Sequence, residues 1–245
     1  MADILGLILV TFIYAMLILI VLWFSDIEKM EAIKDLFIAF LFGFAAALMA
    51  AGIESLITFF GISITSLFMV GIVGPLAEEY AKLDMSTSRY FLKKMDEPED
   101  ALIYAGSVAL GFSFIENILY IISFSTQLKY IQLVDLTFQR MFLCVPVHMA
   151  ATIVGITMYT YLREIYGLSN LEALILSIIP SAMLHGAFNL MAISGSTPIL
   201  LMLVIISLII IIFAWLTLRN MRESYKVPLT YRKNLYWLKY HINNW

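Results

Sequence analysis

The sequence predicts an all-α fold, a polytopic bundle of about seven membrane-spanning helices, on three observations. Of 245 residues, 62% are hydrophobic and only 13% charged, whereas a soluble domain is near half apolar and a quarter charged. Apolar runs recur that reach or approach the roughly 20 residues a helix needs to cross a hydrocarbon layer about 30 Å thick. The polar segments between them are too short to fold as a soluble domain. The expected setting is the cell membrane, with the lipid bilayer as solvent and no nucleic-acid partner.

The expected spans are residues 4–24, 36–57, 63–81, 101–123, 138–162, 171–193 and 197–218. The first is longer than a signal-peptide core, follows an acidic Asp3 and lacks a small-residue cleavage signal, so it is expected to be a retained helix. The third runs into "PLAEEYAKL", where two adjacent carboxylates interrupt an apolar stretch. Between the third and fourth, "DMSTSRYFLKKMDEPED" marks a break with its Pro98 and acidic cluster. No repeat or linker divides the chain, which reads as a single membrane-embedded domain over 1–245, with a core at about 63–193 and a basic aromatic tail at 219–245.

With seven spans, thirteen Lys and Arg fall on the side of the C-terminal tail and two on the other. The positive-inside rule then places the N-terminus outside and the tail in the cytoplasm. The tail's mixture of Lys and Arg with Trp and Tyr suits an anionic membrane surface, or a solvated tail with aromatic anchors.

A charge at the bilayer centre costs about 2.5 to 3.5 kcal/mol on insertion scales, so such residues tend to face the bundle interior and to be functional. They fall in spans three to six: Glu78, Glu79 and Lys82; Glu116 and Asn117; Arg140, His148 and Thr152; His185 and Asn189. The first, second and seventh spans show no comparable group in mid-run. His148 with Thr152, and His185 with Asn189, are spaced i,i+4, so each imidazole shares a helix face with a neutral hydrogen-bonding partner. Glu78 and Glu79 diverge by about 100°; Lys82 can reach either, leaving the other free to take a proton. Pro75, Pro146 and Pro180 each precede one of these polar residues and imply bent helices around a hydrated cavity.

Carboxylate, imidazole and amide together can activate water and stabilise an oxyanion. No cofactor is required for that, but zinc is the nearest rival, with Glu78, His148 and His185 as the ligand set. The compact H-E-x-x-H arrangement is absent. Cys144, one turn before His148, reads as a small buried residue or a thiol nucleophile. A transporter would also carry buried carboxylates, but no inverted repeat of hydropathy is visible.

In order, "PLAEEYAK", "GFSFIEN", the run from Arg140 through His148 to Thr152, and "HGAFN" resemble the PrsW family of intramembrane proteases, over residues 75–189. Ser113 departs from an expected alanine. The family is similar in its membrane core to the type II CAAX prenyl endopeptidases and the scaffold subunit of gamma-secretase. The resemblance implies Glu78 as water-activating base, Glu79 as partner of Lys82, His148 or Glu116 holding the water, and His185 with Asn189 as oxyanion site. It implies a membrane-anchored protein substrate, such as an anti-sigma factor. Glu116 and Asn117 stand where the prenyl endopeptidases bring a histidine, and Lys82 replaces an Arg, which argues against a prenylated substrate. The gamma-secretase likeness keeps a second class open, a catalytically silent scaffold for partner helices. Taken by helix depth, Glu78 and Glu116 lie towards opposite membrane faces, which ranks Glu116 below Glu78, His148, His185 and Asn189.

Overall fold

A computed structural model describes residues 2–26, 29–61, 63, 65–193, 195 and 197–225. Every regular element among them is helical: α1 (Ala2–Phe24), α2 (Ile33–Phe59), α3 (Gly74–Ser86), α4 (Arg89–Leu92), α5 (Pro98–Phe124), α6 (Tyr130–Gln139), α7 (Val145–Tyr166), α8 (Asn170–Ile193) and α9 (Thr197–Tyr225). Among the described residues, six helical runs are long and apolar enough to cross a membrane. The third expected span differs from these. It is a π-helical turn, Met69–Val73, leading into the short α3, and it carries Glu78, Glu79 and Lys82. Its regular structure starts several residues after position 63, following a turn at Gly61, whose φ is +97°.

The fifth expected span is longer than 138–162, because α6, a second π-turn at Arg140–Cys144 and α7 form one continuous run, Tyr130–Tyr166. Pro146 would break an ordinary helix there. Both Pro75 and Pro146 instead follow a π-turn and occupy the first turn of the next helix, where a missing N–H does no harm. Pro180 alone lies inside a helix, α8. The expected break before α5 is a well-formed N-terminus: Asp100 Oδ2 accepts the backbone N–H groups of Asp96 and Glu97, at 2.7 and 2.8 Å.

At the centre α5 packs on α2, α7 and α1, while α7 also meets α8 and α9, and α3 wedges between α2 and α8. Residues 101–114 of α5 are all buried, an apolar-all-round pattern expected of a central helix. The outer faces of α1 and α9 expose Leu5, Leu9, Ile13, Ile209, Ile212 and Phe213, which suits lipid rather than water. Of the 219–245 tail, α9 takes residues up to Tyr225; residues 226–245 lie outside the described residues.

The α2–α5 crossing depends on two glycines. A Cβ on Gly111 would stand 1.9 Å from the Phe40 carbonyl oxygen, and one on Gly43 2.2 Å from that of Val108. Backbone blocks both, so the helices must separate to admit a methyl group. Gly111→Ala is therefore expected to lower unfolding stability by about 3 kcal/mol. Gly52→Ala, on the same α2 with nothing within 4 Å, should leave it unchanged or slightly raised; thermal unfolding in one detergent compares the two.

Candidate functional site

The site forms where α3, α5, α7 and α8 meet. The freed carbonyl side of the first π-turn is what brings α8 in: Pro75 cannot donate to Gly71, and Gly186 packs against the Gly71 carbonyl so closely that a Cβ would lie 2.0 Å from its oxygen. This seats the neighbouring His185 against α3. Asn189, one turn on, donates from Nδ2 to the Val70 carbonyl at 3.2 Å and ties α8 to the same turn.

Glu79 and Lys82, both fully buried, form an ion pair between Oε1 and Nζ. Glu79 Oε1 also lies 2.9 Å from His185 Nδ1, and its Oε2 accepts the hydroxyls of Thr152 at 2.9 Å and Ser181 at 2.8 Å. A buried carboxylate is tolerable only with such complete satisfaction. Across the site, Glu116 is held by ionic contacts rather than by hydrogen bonds: its Oε2 and Arg140 Nη2 have no hydrogen-bond partner among the described residues. Its Oε1 is 2.9 Å from Arg140 Nη2 and its Oε2 2.8 Å from His148 Nε2. Arg140 also donates from Nε to Asn117 Oδ1 at 2.9 Å and stacks over the Tyr120 ring.

Each imidazole thus has one nitrogen on a carboxylate backed by a cation. The other nitrogens converge on Glu78: His185 Nε2 is 3.8 Å from Glu78 Oε2, and His148 Nδ1 is 4.0 Å from it. That oxygen is buried and has no hydrogen-bond partner. The two rings stand edge to face, 4.5 Å between centroids. Lys82 Nζ also approaches His148 Nδ1, at 3.2 Å.

Glu78, His148 and His185 therefore come together, with Glu79, Lys82, Glu116, Asn117 and Thr152 around them. Glu116 is a correction to the depth estimate. The third helix begins late and bends at its π-turn, so Glu78 and Glu116 meet at one level around His148. The two i,i+4 partners serve elsewhere: the Thr152 hydroxyl satisfies Glu79, and Asn189 binds backbone. Cys144 packs on the apolar cluster of Val147, Phe188 and Leu203.

Two participants escape the sequence reading. Ser181 was detectable, since it lies i,i+4 before His185 on one face of α8, and both side chains contact Glu79. Glu54, near the end of α2, is a half-buried carboxylate whose Oε1 lies beside Gly74, at the start of α3. Its position close to the end of an otherwise apolar span hid it.

The chain matches the PrsW family intramembrane metalloprotease profile over residues 31–216, which takes in every residue of the cluster. It is 28% identical over 159 residues to Protease PrsW of Bacillus subtilis (strain 168), a match covering 64% of this chain and 66% of that protein, just under two thirds of its length. No solved structure matches. With about three quarters of its length inside the family profile, this multi-pass membrane protein belongs to the PrsW family of intramembrane metalloproteases.

Proposed function

We propose that the chain is an intramembrane endopeptidase that hydrolyses a peptide bond of a membrane-anchored protein, using water held where Glu78, His148 and His185 meet. The observation that carries this reading is the unpartnered Glu78 Oε2 facing one nitrogen of each imidazole. In this reading residues 1–245 act as one membrane-embedded domain, with the N-terminus outside and the C-terminal end in the cytoplasm, as the distribution of Lys and Arg favours.

The donor set fits a zinc-class ion. One ligand atom from each of the three residues lies within 4.8 Å of the others. Tetrahedral ligands about 2.1 Å from zinc stand roughly 3.4 Å apart, so gaps of 3.8 and 4.0 Å close with small side-chain shifts. Charge agrees: Glu79 pairs with Lys82 and Glu116 with Arg140, which leaves Glu78 as the site carboxylate with no Lys or Arg in ion-pair contact. Glu78 Oε2, His148 Nδ1 and His185 Nε2 would hold the ion. When bound, it polarises a carbonyl oxygen and brings the pKa of its water near neutrality.

The remaining work belongs to the chain. Glu79 holds the His185 proton at Nδ1, which turns the Nε2 lone pair to the centre. Glu116 holds the His148 proton at Nε2 and turns Nδ1 inward. Such carboxylate–histidine pairs fix tautomer and ring orientation. Asn189 has a second amide hydrogen beyond the one on Val70, suited to the substrate's carbonyl oxygen.

One observation favours a second, metal-free reading: Lys82 Nζ lies beside the same His148 Nδ1. There Lys82 keeps that lone pair, Glu78 Oε2 takes the proton from water, and His185 with Asn189 hydrogen-bonds the carbonyl oxygen.

Purified protein reconstituted in liposomes with a single-span substrate tests both readings; absence of any cleavage by the wild-type chain, with the substrate bound, would instead identify a scaffold. Ser181→Ala leaves Glu79 Oε2 with Thr152 as its remaining side-chain donor. Outer-shell losses of this kind cost about 10- to 100-fold in metal affinity or activity, and that is the fall expected here, read from initial cleavage rates.

A further inference from the structure

At the opposite end of α5 from Glu116 lies a second group of carboxylates that takes no part in the chemistry above. Asp26 after α1, Glu31 before α2, and Asp96, Glu97, Glu99 and Asp100 around the start of α5 gather there; Asp26, Glu97, Glu99 and Asp100 are buried. Lys29 lies on Asp96, and Arg222 on Glu97 and Glu99 at 3.4 Å each, whereas Asp26, Glu31 and Asp100 make no ion pair with a Lys or Arg among the described residues. Burial pushes the Asp26 carboxyl above its ordinary range, against the pull of the Glu31 N–H and Lys29. Such crowding calls for a counter-charge.

Two sets of three share Asp100: Asp26 with Glu97, and Glu31 with Asp96. In each, one oxygen per residue lies within 4.8 Å of the others. Carboxylate oxygens are the ligands of hard divalent cations such as calcium and magnesium. An independent observation points to a ligand there. Asp100 is 0% exposed, and although its Oδ2 caps α5, its Oδ1 has no partner; the Asp96 side chain is 8% exposed and its Oδ1 is likewise unpartnered. Buried carboxylate oxygens left open beside other carboxylates are positioned for a cation rather than for a hydrogen-bond donor.

We propose that this cluster is a site for a hard divalent cation, calcium or magnesium, centred on Asp100. It would fasten the α1–α2 connection to the start of the helix that carries Glu116. The indole of Trp23 donates to the Glu31 carbonyl at 2.9 Å, so the site has a built-in fluorophore.

The test uses the full-length protein in detergent, stripped of metal and titrated separately with calcium, magnesium and terbium. Calcium at a hundred times its Kd is expected to raise Tm by on the order of 5 to 10 °C. Terbium should show luminescence sensitised by tryptophan that calcium displaces, and a response to magnesium alone would identify the smaller ion as occupant. Asp100→Asn and, separately, Glu31→Gln should each reduce the affinity at least tenfold, while His148→Ala should keep it. No thermal shift and no displaceable terbium signal in the wild type would overturn the proposal, as would a response lost in His148→Ala but kept in both carboxylate variants.

Discussion

Glu78→Gln is expected to stop substrate cleavage, with a fall in kcat of about a thousandfold or more, equivalent to about 4 kcal/mol of barrier, while the metal-free protein keeps or slightly gains thermal stability. Both halves follow from one feature. Glu78 Oε2 is buried without a hydrogen-bond partner, so a neutral amide of the same shape removes a desolvation cost without breaking a bond. It also removes the charge that would hold the ion or the proton. Glu79→Gln, one residue on, should behave in the opposite sense. It deprives Lys82, His185, Thr152 and Ser181 of a common buried partner, and breaking a buried pair costs about 3 to 5 kcal/mol. Thermal unfolding and cleavage measured on both variants separate the pair: one inactive and stable, the other unstable. A stable Glu79→Gln beside a destabilised Glu78→Gln would reverse the assignment.

Removal of transition metal is expected to reduce cleavage to background, and zinc should restore it. A chelator such as phenanthroline is the suitable agent, because it spares calcium and magnesium and so leaves the distant carboxylate cluster undisturbed. Glu116→Gln should retain activity only at higher zinc, since it weakens the group that orients His148; a loss of about 10- to 100-fold in affinity is the expected size. Cleavage indifferent to chelation, combined with an inactive Glu78→Gln, would select the metal-free centre in which Lys82 serves His148 Nδ1.

The helical bundle was legible because apolar length is a direct consequence of bilayer thickness, and each apolar span grew by only a few residues, apart from the displaced third span, the α6–α7 run and the extension of α9. Convergence of Glu78, His148 and His185 was legible for another reason. Charged or titratable groups in apolar helices are rare enough that those present usually share an interior face. What the sequence hid was backbone irregularity. Neither π-turn has a clear signature beyond the proline that follows it, yet these turns set the depth of α3 and let His148 and Glu116 meet. Counting residues along straight helices therefore misplaced Glu116. Ser181 shares a helix face with His185, but a hydroxyl in a helix commonly bonds its own backbone, so the spacing alone does not show its contact with Glu79. Asn189 was visible as a polar residue in line with His185, but its contact with Val70 depends on the first π-turn.

The central claim is that Glu78, His148 and His185 form one donor set. It is tested most directly by the zinc content of the purified full-length protein and of the single variants Glu78→Gln, His148→Ala and His185→Ala, each confirmed as folded. About one equivalent in the wild type, lost or strongly reduced in all three variants, is the expected result. Undiminished zinc in any of the three folded variants, or none in an active wild type, would contradict it.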